Sequence, residues 1–302
     1  ELRRHVPDTL TLERILDYLH LDDPDELYKK GLPHALLNKA QKQDDGSDLE
    51  PFRLNEGFRR LLLMDDTNLL HEAHRCVEGP ENSNQLVCSL VHSVLWGDRK
   101  PGSGTLDEVH AFLRSKPGLR HDLLELLEWL LGKRTPLPAV TFPEMTGPLA
   151  LHGSYTRQQV LLALGLGSFE NPYSSREGVL HVQSRKLDVF FADVHKAETD
   201  FSPTTMYDDY AITDRLFHWQ SQSTTSESAN VGRRYITHRE QGYTPLLFVR
   251  ERKKAPNGLT APYLYAGPMT YVRHEGSRPM SIVWGMEHPL PARTLSWARR
   301  VV

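Results

Sequence analysis

Apolar residues between Thr11 and Leu131 recur at helical spacing: Leu12, Ile15, Leu16 and Leu19; then Phe58, Leu61, Leu62 and Leu69; then Leu123, Leu124, Leu127 and Leu130. This half reads as a helical bundle. Its helix starts are marked by Thr11, by Thr105 ahead of LDEVHAFL, and by Pro117-Gly118 ahead of LRHDLLELLEWLL. Residues 132 to 148, GKRTPLPAVTFPEMTGP, hold four prolines and two glycines and cannot continue a helix. A domain boundary belongs there, giving expected domains of 1–147 and 148–302. After one short helix from Tyr155 to Leu164, the pattern changes to β-branched and aromatic runs separated by turns: VLHV, LDVFFADVH, RLFHWQSQST, TPLLFVRER, YLYAGPMTYV and MSIVWGM. The second half therefore reads as β-rich, with a mostly antiparallel sheet curled into a barrel or sandwich. The expected fold class is α+β.

Charge sharpens the division. The chain carries a formal net charge of -3, yet residues 1 to 150 hold 18 Lys/Arg against 25 Asp/Glu, and residues 151 to 302 hold 18 against 14. A nucleic-acid surface fits the second half, which also holds 18 of the 26 aromatic residues. Apolar runs are broken by charge well short of the roughly 18 residues of a membrane span, and ELRRHVPDTL has no signal-peptide core. The only cysteines are Cys76 and Cys88, too few for a disulfide-stapled secreted fold, so a reducing cytoplasm is the expected setting.

The commonest catalytic signatures are missing. There is no GxxxxGK[ST] phosphate loop, no GxGxxG, no HExxH and no GxSxG. Asp188 with Asp193-Val194-His195-Lys196 offers acidic residues and a lysine for a metal-dependent nuclease, but Asp193 and His195 share a strand face that Lys196 does not. His71, His74, Cys76, Cys88 and His92 are zinc-ligand types at irregular spacing. Leu86, Val87 and Leu90 around Cys88 favour buried free cysteines in a helical core instead. No cofactor or metal is expected.

Residues 201 to 228, FSPTTMYDDYAITDRLFHWQSQSTTSES, carry the densest recognition chemistry. In a strand His218, Gln220, Gln222 and Thr224 share one face and Trp219, Ser221 and Ser223 the other, so both faces look polar. Such a strand suits a groove lined with donors and acceptors. The preceding loop sets two tyrosines and two aspartates within four residues, as an extruded cytosine requires: its ring stacks on π-faces and its amine donates to a carboxylate. An ordinary turn followed by an edge strand is the plain alternative.

Three segments, HGSYTRQQVLLALG, REGVLHVQSRKLDVFFADVHKAETDFSPTTMYDDYAITDRLFHWQSQSTTS and NGLTAPYLYAGPMTYVRHEGSRPMSIVWGMEHPLP, together resemble the C-terminal region of type IV modification-dependent restriction proteins. The resemblance spans roughly residues 150 to 291 and rests on FSPTTMYDDYAI and HWQSQSTTS. It implies an SRA-like (PUA-like) barrel that reads 5-methyl- or 5-hydroxymethylcytosine in duplex DNA. It also implies a helical coupler ahead of the barrel, and phospholipase-D-like nuclease and superfamily 2 helicase domains elsewhere in the same polypeptide. The chain itself is then expected to bind, by base flipping, and not to catalyse. A reader of another mark, phosphorothioate or glucosylated base, and a metal-dependent nuclease are the alternatives.

Residue chemistry assigns base binding to Thr204, Thr205, Tyr207, Asp208, Asp209, Tyr210, His218, Trp219, Gln220, Ser221 and Gln222. Phosphate contacts fall to Ser223, Thr224, Arg233, Arg234, Lys253, Lys254 and Arg278.

Overall fold

A computed structural model describes residues 11–36, 50–79, 83–97, 100, 104–138, 140, 147–195 and 209–299. The chain is a mixed α/β protein that separates into two compact units. The first comprises Glu1–Leu137, Thr146–Leu149 and Thr156–Tyr173; the second comprises Pro138–Met145, Ala150–Tyr155 and Ser174–Val302. The units thus interleave across the proline-rich segment.

The first unit contains helices α1 (Leu12–Leu19), α2 (Pro24–Lys30), α3 (Glu50–Leu61), α4 (Thr67–Glu78), α5 (Gln85–Trp96), α6 (Leu106–Ser115), α7 (Pro117–Lys133) and α8 (Arg157–Ala163). Their starts follow the sequence signals. The Thr11 hydroxyl accepts from Arg14 N, Thr105 and Glu108 form a capping box, and Pro117 opens α7. Thr156 and Gln159 form a second capping box on α8, which packs against α5. Phe58, Leu70, Leu90, Leu123 and Leu127 are fully buried at the centre of this unit.

One expectation for these helices changes. Cys76 on α4 and Cys88 on α5 are joined by a disulfide, not free, because the packed helices bring their Cα atoms to 5.8 Å. His92 of α5 is fully buried, its ring edge-on to His110 at 5.1 Å, and neither of its ring nitrogens has a hydrogen-bond partner. Burial pushes its pKa down to about 3, with His110 contributing. Among the described residues no group of three or more His, Cys, Asp or Glu could hold a metal ion, and no helix is long and apolar enough to cross a membrane.

The second unit is built on strands β1 (Ser154–Tyr155), β2 (Val179–Val182), β3 (Leu187–Asp193), β4 (Tyr210–Ala211), β5 (Leu216–Gln220), β6 (Thr244–Arg250), β7 (Tyr263–Glu275) and β8 (Ser281–Met286). The sheet order is β2-β3-β6-β7-β8-β5-β4, with β1 paired to β7. Among the described residues every pairing between these strands is antiparallel except β3 with β6. The crossover between those two strands includes the short helix α9 (Asn230–Ile236), and α10 (Ala292–Ala298) follows the last strand.

The long β7 serves both halves of the sheet, pairing with β6 along its first part and β8 along its second. Irregular register at Leu247/Phe248 and at Tyr271/Arg273, with Gly267 at φ 93°, lets it bend. The sheet consequently curls. Phe190 of β3 meets Trp219 of β5 edge to face at 4.8 Å although three strands separate them in sheet order. Tyr235 of α9 fills the space between, contacting Phe190, Trp219 and Trp284. The sheet is nonetheless open where a barrel was expected: among the described residues no pairing joins β2 to β4. Tyr235 of α9 packs inside the curl without joining its two edge strands.

Candidate nucleic-acid interface

The strand registers define two ends of the curled sheet. Leu187 pairs with Thr244, Leu246 with Pro268, Glu275 with Ser281, and Gln220 with Ser281. The start of β8 and the ends of β5 and β7 therefore lie together, and α9 ties them to the start of β3, since its Gly232 lies against Ser226 O and Met280 Sδ and its Arg234 reaches Asp188. Residues 221–228, the turn 276–280 and α9 gather at this end.

Strand β5 stops at Gln220 because Ser221 turns toward the β7–β8 turn. Its backbone N donates to Met280 O at 2.9 Å, and its hydroxyl accepts from Met280 N at 2.8 Å. The loop beyond is held by Arg278 N donating to Thr225 O at 3.1 Å. His274 bridges it to the sheet: its Nε2 lies 3.2 Å from Glu227 Oε2 and its Nδ1 2.6 Å from Tyr271 Oη. With the Nε2 proton given to Glu227, Nδ1 accepts from the Tyr271 hydroxyl. Burial, assisted by the charge of Glu227, pushes the Tyr271 phenol up. Gly232 of α9 lies directly beneath the loop, where any Cβ would collide with Ser226 O and Met280 Sδ. The result is a pinned loop whose tip, Gln222, Ser223 and Thr224, is exposed.

Several candidate residues meet here. Arg278 is exposed beside the loop, and Arg233 reaches Ser228 O at 3.3 Å. Asp209 is buried and accepts from Gln220 N at 3.1 Å. Tyr210 stacks on His218 at 4.6 Å with rings 18° apart, both half-exposed on the outer face of the β4–β5 edge. Gln220 shares that face.

Other candidates prove structural. Trp219 packs in the core among Phe190, Tyr235, Ile282 and Met280, so it offers no face to a base. Phe217 and Trp219 give β5 one apolar face, and the polar character expected on both faces belongs to the loop that follows the strand. Ser221 is fully buried and spent on Met280. Arg234 is not a phosphate contact of the expected exposed kind: its Nε and Nη2 donate to the fully buried Asp188 at 2.8 and 2.9 Å. Lys253 and Lys254 precede β7 whereas Arg278 follows it, so the 13 residues of that strand separate them by roughly 40 Å of chain path. They cannot share one phosphate cluster with Arg278. Thr204, Thr205, Tyr207 and Asp208 lie outside the described residues.

The acidic pair considered for metal chemistry is likewise engaged. Asp188 is held by Arg234 and His181, and Asp193 accepts two bonds from Arg250 at 2.6 and 3.0 Å. Two carboxylates each neutralised by a guanidinium are poor ligands for a divalent cation. Sequence reading missed His181, Lys186 and Tyr243, which adjoin Arg234. Their signal was weak, since a histidine and a lysine at a turn look like ordinary surface.

No curated protein matches the chain. Residues 149–296 match a family model described as a domain of unknown function, DUF3427.

Proposed function

We propose that the second unit is a DNA-binding module that reads a modified cytosine in duplex DNA, in the manner of an SRA-like (PUA-like) reader. The observation that carries this reading is the gathering, at one end of a curled sheet, of an exposed Gln222-Ser223-Thr224 tip with Arg278, Arg233, Gln220 and Asp209. A short polar tip flanked by arginines has the chemistry to enter a groove while phosphates are neutralised on either side. The buried Asp209 carboxylate fixes the Gln220 backbone, so that the half-exposed end of β5 offers the Gln220 side chain to a base from a set position. Tyr210 and His218 supply π-faces nearby. The aromatic packing of β3 against β5 through α9 supports a PUA-like core even though the sheet does not close by pairing.

On this reading the chain binds DNA without ATP and leaves it uncut, and the motor and nuclease reside elsewhere in the intact polypeptide. Fluorescence anisotropy with duplexes carrying 5-methylcytosine, 5-hydroxymethylcytosine or plain cytosine tests it. Modified duplexes should bind more tightly, and log K should fall against log salt with a slope of roughly -3 to -5 for a handful of phosphate contacts. Equal affinity for all three duplexes would end the modified-base reading, and metal-dependent cleavage by the pure chain would replace it with a nuclease.

A further inference from the structure

The Asp188–Arg234 pair has neighbours that neither the proposed base site nor core packing uses. Asp188 Oδ1 also lies 3.1 Å from His181 Nδ1, so a single buried carboxylate receives two side chains. All of them surround Tyr243. The His181 ring stacks on it at 5.3 Å and 28°, Lys186 Nζ lies 4.9 Å above its centroid, and the Arg234 guanidinium lies 5.6 Å from it. Arg234 is permanently charged and Asp188 cancels one charge, so Lys186 leaves the group with an uncompensated positive charge.

Lys186 is also held in place. It has φ 56°, a left-handed conformation that favours glycine or asparagine over lysine. Its N donates to Gln183 O at 3.2 Å and its O accepts from Thr244 N at 2.8 Å, fixing the backbone on both sides. The side chain is exposed, and its ammonium sits 3.5 Å from Gln241 O. The left-handed residue caps the short helical turn before it, so an exposed cation is presented from a fixed backbone.

We propose that His181, Lys186 and Tyr243 form a binding site for a phosphodiester oxyanion of the DNA backbone. This rests on the DNA-binding reading and extends it. The site adjoins the 221–228 loop through α9, whose Gly232 lies against Ser226 and Met280, whose Arg234 reaches Asp188, and which presents the exposed Arg233. Lys186 supplies the charge, and His181 supplies a ring nitrogen turned away from Asp188. Asp188 fixes His181, and Arg234 packs against Tyr243.

The test is duplex binding by anisotropy across a salt series, using the whole chain and its Lys186→Asn variant. Asparagine tolerates the left-handed backbone, so the fold survives while the charge is removed. The variant should bind about fivefold more weakly to modified and unmodified duplexes alike, with the salt slope shallower by about 1. Arg114→Gln, which removes an exposed charge from α6 of the helical unit, should change neither quantity. A wild-type chain that binds DNA while Lys186→Asn keeps its affinity and slope would overturn the site and leave the DNA reading intact. A wild-type chain that binds no duplex at low salt would overturn both. Replacing chloride with inorganic phosphate at matched ionic strength should leave the duplex bound; selective displacement would reassign the site to free phosphate and overturn the backbone assignment.

Discussion

Replacing Arg234 with methionine separates a structural arginine from a DNA-contacting one. Asp188 has no exposed surface, and two of the bonds to its carboxylate, at 2.8 and 2.9 Å, come from Arg234. Removing the guanidinium leaves a desolvated carboxylate with, among the described residues, the His181 ring beside it. Breaking a buried pair from one side costs about 3–5 kcal/mol. Against the roughly 5–15 kcal/mol that holds a domain folded, that is a large fraction. With a urea m-value of about 2 kcal/mol per molar, the unfolding midpoint should fall by roughly 2 M. Asp188→Asn should cost less, about 1–3 kcal/mol, because the Arg234 side chain keeps 13% of its surface exposed and can turn toward water. The double variant Asp188→Leu/Arg234→Met should recover to within about 2 kcal/mol of the parent, since no unpaired charge remains inside. Urea unfolding followed by near-ultraviolet circular dichroism, which reports the Trp219–Trp284 cluster, supplies all four stabilities. An Arg234→Met loss under about 1 kcal/mol, or single-variant losses that simply add in the double, would refute the reasoning.

Two further outcomes concern the helical unit. The folded-state pKa of His92 lies near 3 against an ordinary 6.5, so below pH 6.5 the unfolded chain takes up a proton that the folded chain refuses. Stability should be unaffected by His92 above pH 6.5 and should fall as pH drops toward 3, by about 2 kcal/mol between pH 6.5 and 5. The urea midpoint of His92→Leu should therefore rise relative to that of the parent as the pH falls from 6.5 to 5, and a difference that does not change with pH would count against the assignment. The Cys76–Cys88 bond closes a short loop of sequence separation 12, so reduction should cost about 3 kcal/mol. Mass spectrometry after alkylation without reductant should find both thiols blocked; two alkylated cysteines in the untreated protein would exclude the bond.

What the sequence reveals depends on whether an element is fixed by its own pattern or by something distant. Strands β2, β6 and β8 fall inside the runs VLHV, TPLLFVRER and MSIVWGM because each run is apolar, short and bounded by turn residues. The capped helices are equally legible, since Thr11, Thr105 and Thr156 write their own starts. Helix α9 is not. NVGRRYI contains a glycine and β-branched residues, and no side chain caps its start. It exists because Tyr235 is drawn into the aromatic core and Gly232 allows the 221–228 loop to cross it. The parallel pairing of β3 with β6 is hidden for the same reason, as its crossover includes that helix. The disulfide also depends on distant packing: nothing in the spacing of Cys76 and Cys88 tells a bonded pair from two buried thiols until α4 and α5 are side by side.

The missed helix accounts for the different surroundings of two neighbouring arginines. Arg233 and Arg234 are adjacent, and as members of a loop they are interchangeable candidates for phosphate. On a helix neighbouring side chains point about 100° apart, so the two must face different surroundings. Arg233 faces solvent beside the loop and Arg234 faces Asp188. The charge that the β-rich half carries is therefore divided by geometry: Arg234 and Arg250 neutralise buried aspartates, whereas Lys186, Arg233 and Arg278 remain exposed. Counting basic residues cannot make that division, because a buried guanidinium and an exposed one contribute equally to net charge and only the exposed one attracts a phosphate at long range.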